Sequence, residues 1–152
     1  MSEYQFYEFA AVDEPVTEDR DPYPWSISSR ADVTSWRWRN VYNWGDFRGS
    51  VHRMMEVYDA HVYLANWGTF RFALGFPHDM LSAQDVQPYL TDEWLEVDER
   101  AGRTILCWAL MDEEPSGDWI EGDGLLDRLL PIRDELLCGD WRSLYLGWLA
   151  RW

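Results

Sequence analysis

His61 to Asn66 and Phe70 to Phe76 constrain this chain more than any other stretch. Both are runs of aliphatic and aromatic residues of strand length, and only Trp67-Gly68-Thr69 separates them. A linker that short cannot cross over a sheet, so the runs must pair side by side as an antiparallel hairpin, with Gly68 taking the positive φ of a tight reversal. A second hairpin is predicted from Trp94 to Val97 and Thr104 to Leu110, turning about Arg100-Ala101-Gly102-Arg103. Tyr4 to Val12 alternates with a period close to two and reads as an N-terminal strand. Ala31 to Trp44 spaces Val33, Trp36, Trp38, Val41 and Trp44 among Thr, Ser and Arg, which predicts a second strand with an irregularity at Asn40.

Helical signals are shorter. Thr17 stands before two acids as a cap, but Pro22 and Pro24 follow so closely that at most one turn is expected there, then an extended loop. Ser50 caps a segment in which Val51, Met54, Met55 and Tyr58 share one face. Ser82 with Asp85 three residues on is a capping box for a helix running to Leu90. Met111 to Gly124 is acid- and glycine-rich and reads as a loop. Leu125 to Cys138 reads as a helix broken near Pro131, Gly139 as its stop, and Asp140 as the cap of a last helix bearing Leu144, Tyr145, Trp148, Leu149 and Trp152. The pattern predicts an α+β fold: a mostly antiparallel sheet of about six strands, helices largely on one face, and a C-terminal αα-hairpin. The early element order also suits a ferredoxin-like split unit.

A chain of 152 residues that is 47% hydrophobic can build one packed core, so a single domain over residues 1–152 is expected and compositional disorder is excluded. No stretch approaches the roughly 18 apolar residues of a membrane span. Met1-Ser2-Glu3 opens with an acid where a secretory signal would be basic, so a cytoplasmic protein without membrane contact is expected. Cys107 and Cys138 have no Cys or His nearby, make no zinc knuckle, and read as buried thiols; no metal or cofactor is expected.

The net charge of −15 argues against nucleic acid as a partner. Locally the balance reverses: residues 30–53 carry Arg30, Arg37, Arg39, Arg48 and Arg53 against Asp32 and Asp46. On a strand Arg37 and Arg39 would face away from Trp36 and Trp38, an arrangement that single-stranded nucleic-acid platforms use. The plainer expectation is that these arginines pair with the chain's own carboxylates.

One pentapeptide repeats. Asn43-Trp44-Gly45-Asp46-Phe47 and Asn66-Trp67-Gly68-Thr69-Phe70 match at four of five positions, 23 residues apart. Either both are one turn solution used twice, or Asn43, Trp44, Asp46, Asn66 and Trp67 present aromatic faces and amides to a common planar or sugar-like ligand. No metalloprotease, nucleophile-elbow or phosphate-loop motif accompanies them, so no catalytic residue is assigned. His61 and Asp59 stand close enough in sequence to act as a base and its orienting acid, although a strand-end histidine is more often structural.

Tyr42-Asn43-Trp44-Gly45-Asp46-Phe47, Tyr63-Leu64-Ala65-Asn66-Trp67-Gly68-Thr69 and Leu144-Tyr145-Leu146-Gly147-Trp148-Leu149 resemble, in this order, motifs of an uncharacterised family of bacterial hypothetical proteins. Ser28-Ser29-Arg30-Ala31 extends the likeness, which covers nearly the whole chain. The resemblance implies a regular first helix where this chain has Asp21-Pro22-Tyr23-Pro24-Trp25, and a longer protein of which this domain is the front part. It implies no activity.

The leading functional expectation is a non-catalytic protein-interaction domain, because 11 tryptophans supply anchor side chains and no catalytic signature is present. Leu144, Trp148 and Trp152 on the last helix are the expected interface, toward a protein partner or a second copy. An enzyme or small-ligand-binding protein with its site at the Asn-Trp-Gly turns is the alternative. An acidic decoy that mimics nucleic acid comes third.

Overall fold

The computed structural model describes residues 4–27, 30–43, 47–89, 95–111, 124–140 and 142. Strands β1 (Gln5–Ala10), β2 (Asp32–Val33), β3 (Arg37–Tyr42), β4 (Ala60–Ala65), β5 (Thr69–Pro77), β6 (Leu95–Arg100) and β7 (Arg103–Met111) form one sheet in the order β2-β3-β1-β4-β5-β7-β6. Every pairing is antiparallel. This is the α+β class read from the sequence, with seven strands instead of six and no split βαβ unit, which would need a parallel pair.

The extra strand comes from a break that sequence reading put at Asn40. It falls instead at Thr34, whose Oγ1 accepts from the backbone N–H groups of Trp36 and Arg37 while its own N–H donates to the Arg37 carbonyl. These bonds reverse the chain, so β2 folds back on β3. Both predicted hairpins are present. Gly68 has φ 103°, and the β6–β7 turn places Ala101 and Gly102 at φ 55° and 73°.

The helices are α1 (Tyr23–Ser26), α2 (Val51–Met54), α3 (Ala83–Val86, continued by a 3-10 turn over Gln87–Tyr89) and α4 (Leu125–Leu137). Ser50 caps α2 through Arg53 N–H, and Ser82 and Asp85 form the capping box of α3. The expected break at Pro131 does not occur. Pro131 lies on the exposed side of α4, where water can take the carbonyl its missing N–H leaves open, while Leu126 and Leu136 are buried on the other side. Gly139 ends α4 at φ 85°, and Asp140 N–H reaches back to the Glu135 carbonyl. The helix expected after Asp140 lies outside the described residues. Among those described, no helix is long and apolar enough to cross a membrane.

Helices cover both faces, not chiefly one. The first face, with Phe6, Val62, Leu64, Phe72, Leu74 and Leu106, packs under α3 and α4. On the second, Phe9, Trp38, Met54, Met55, Tyr58 and Ile105 form a smaller core with α1 and α2. Trp38 anchors α1 by donating its indole N–H to the Pro24 carbonyl at 2.8 Å.

The 23-residue repeat has a structural meaning. β3 and β4 flank β1 in identical register: Tyr42 and Ala65 both pair with Gln5, Asn40 and Tyr63 with Tyr7, and Trp38 and His61 with Phe9. Asn43 and Asn66 therefore leave the sheet at the same end, on either side of β1.

Candidate functional site

α2 is only four residues long, and it covers the second face near Tyr58. Strand register decides which side chains line the remainder of that face. Tyr7, Tyr63, Arg71 and Ala109 stand in one row across β1, β4, β5 and β7. His61, Ala73, Cys107 and Glu96 stand in the next, across β4, β5, β7 and β6. Because Ala73, Cys107 and Ala109 are small and the residues around them are large, the surface sinks into a hollow of about 600 Å³. Trp67, 48% exposed in the β4–β5 turn, stands at its rim, and His52 of α2 closes the opposite side.

One wall is aromatic. Tyr7 stacks on Phe47 at 4.8 Å between ring centres and meets Tyr63 at 4.6 Å, while the Tyr63 hydroxyl donates to Gln5 Oε1. The Arg71 guanidinium lies 5.9 Å from the Tyr63 ring centre, and no carboxylate of the described residues is within ion-pair distance of it. At the far rim are Glu96 and Asp98, the latter 3.4 Å from His52 Nδ1.

The two groups that most resemble catalysts are both shifted by burial. His61 is buried against Phe9, ring centres 4.1 Å apart, with Nδ1 2.9 Å from the Glu8 carbonyl. Burial pulls its imidazole down to about 4. The ring is neutral at pH 7, its proton sits on Nδ1 to meet that carbonyl, and Nε2 is left as an acceptor. Burial pushes the Cys107 thiol up to about 11, aided by Glu96 and Asp98 and opposed by Arg71, so it is protonated and a poor nucleophile. Cys138, expected to be buried, is exposed.

Asp59 does not orient His61. Its Oδ2 accepts from the backbone N–H groups of Val12 and Asp13, and its Oδ1 accepts from Arg103 at 2.6 Å. Arg133 of α4, 1% exposed, joins this network through Asp13 and the Gly75 carbonyl. The cluster ties α4 to the sheet end. Two arginines of the basic window hold carboxylates of the chain: Arg37 holds Glu8 and Asp127, and Arg53 holds Asp21. Glu8 is nonetheless raised above its ordinary value, because its burial outweighs Arg37.

Of the site residues expected from the motif, Asn66 and Trp67 lie in the β4–β5 turn and Trp67 borders the hollow, while Asn43 is exposed at the end of β3. Trp44 and Asp46 lie outside the described residues, as do Leu144, Trp148 and Trp152. Tyr7, Tyr63 and Arg71 were not singled out by sequence reading. The signal was the alternation in β5, where Thr69, Arg71 and Ala73 interleave with Phe70, Phe72 and Leu74, marking a strand with one strongly apolar face and one of mixed polarity.

Among the described residues no group of His, Cys, Asp and Glu is arranged to hold a metal ion. No family model, curated protein or solved structure matches the chain.

Proposed function

We propose that this chain is a non-catalytic binding domain whose working surface is the hollow on the second face of the sheet. The observation that carries the reading is a concave, aromatic-walled site holding an exposed tryptophan and a cation without a counter-charge among the described residues. Binding sites of this kind combine apolar walls with a few convergent polar groups. The neutral His61 and protonated Cys107 favour retention of a ligand over its turnover. A cytoplasmic location, and a protein partner or second copy on Leu144, Trp148 and Trp152, are further proposals that rest on the sequence alone.

Filling the hollow tests this. Ala109→Phe places a ring on its floor at a strand position that tolerates aromatics. In a thermal-shift screen of small planar compounds, stabilising compounds should raise the Tm of the wild-type chain and leave the folded variant unmoved. Equal responses from both proteins, or none from the wild type, would refute the hollow as the binding surface.

A further inference from the structure

Arg71 is the arginine in the lining of the hollow. Arg37, Arg53, Arg103 and Arg133 each hold a carboxylate of the chain, whereas Arg71 lies in a hollow against the Tyr63 ring with none among the described residues. Arg71 is exposed among the residues that line the hollow, so its guanidinium is open to a ligand there. A guanidinium there offers a planar fork of donors matched to a carboxylate, sulfonate or phosphate.

The rest of the hollow fixes what must accompany the anion. Trp67, 48% exposed, supplies flat apolar surface in the same hollow as Arg71, and rings stack on such surface in offset or edge arrangements. Glu96 and Asp98, at the opposite rim, repel an anion from that side and so set its orientation. A volume of about 600 Å³ is that of a site for one small molecule, whereas a protein partner would need a patch of roughly 800 Å² on each side.

We infer that the hollow binds a small planar aromatic anion, its ring against Trp67 and its acidic group on the Arg71 guanidinium. This rests on the hollow being the binding surface, so the test separates the two claims. The probes are 1-anilinonaphthalene-8-sulfonate and N-phenyl-1-naphthylamine, which share their ring system and differ in the sulfonate. Fluorescence titration of the full chain, with near-ultraviolet circular dichroism confirming each fold, should give one site per chain, with the sulfonate dye bound about tenfold more tightly. Arg71→Gln should remove that preference and leave the neutral dye's affinity unchanged. Arg71→Lys, which keeps the charge, should retain most of the preference, and Trp67→Ala should weaken both dyes. Equal binding of the two dyes, indifferent to Arg71→Gln but lost in Trp67→Ala, overturns the anion and leaves the hollow standing. Failure of both dyes to bind, or binding that ignores Trp67→Ala, overturns the hollow as well.

Discussion

Replacing His61 by Phe removes the one imidazole buried in the sheet, and the structure sets how the stability profile must respond. Burial holds the folded His61 at about 4, against about 6.5 in an unfolded chain. Between those values the unfolded state takes up a proton that the folded state refuses. Stability is therefore complete above about pH 6.5 and declines as the pH falls toward about 4, by at most about 1.4 kcal/mol per unit. Integrated from pH 7 to pH 5, the His61 contribution to the loss is about 2 kcal/mol. Glu8 acts in the opposite direction, because a carboxyl raised in the fold costs stability as the pH climbs through its titration. Its side chain pairs with Arg37 and lies on the other face of the sheet, so it contributes equally to wild type and variant. His61→Phe leaves the Glu8 carbonyl without the imidazole donor, a penalty that does not vary with pH. Urea unfolding at pH 7, 6 and 5 should then show the wild-type stability falling relative to the variant by about 2 kcal/mol across the range. A pH-independent difference would mean that His61 takes up its second proton alike in the folded and unfolded chains, and the neutral-imidazole account of the hollow would be wrong.

The sequence made the two hairpins plain because turn glycines and short linkers leave few options. It hid β2, because the reversal at Thr34 depends on side-chain bonds to backbone that no glycine or proline marks. It overstated Pro131 as a breaker, since exposure of that side of α4 makes the lost bond cheap. Arg133 carried no signal in the sequence and is among the most buried residues, because its partners Asp13, Asp59 and Gly75 come from distant segments. The site divides in the same way. Trp67 was marked by a repeated motif, but Tyr7, Tyr63 and Arg71 meet it only through strand register, which a one-dimensional pattern does not contain.

Asp59→Ala should cost about 3–5 kcal/mol by urea titration, since it strands Arg103, removes one of the two carboxylates beside buried Arg133 and orphans two backbone N–H groups; a loss below about 1 kcal/mol would show that the cluster does not hold α4 to the sheet. Gly75→Ala should lower stability by about 1–3 kcal/mol, because the added Cβ meets Arg103 Nη2 at 2.8 Å and the Tyr58 carbonyl at 3.2 Å. Most of that penalty should disappear in an Arg103→Ala background, and an unchanged penalty there would locate the strain elsewhere. Trp67→Ala should lower stability by no more than about 1 kcal/mol, as expected for a half-exposed turn residue, and thermal unfolding checks this.

Backbone amide shifts recorded by two-dimensional NMR as 1-anilinonaphthalene-8-sulfonate is added test the binding surface most directly. The structure predicts that the largest movements fall in residues 67–73 and 107–109, around the hollow, with those of α3 and α4 on the opposite face unmoved. Shifts concentrated on α3 and α4, or absent from the hollow at saturating dye, would contradict the assignment of this surface as the place where the domain binds.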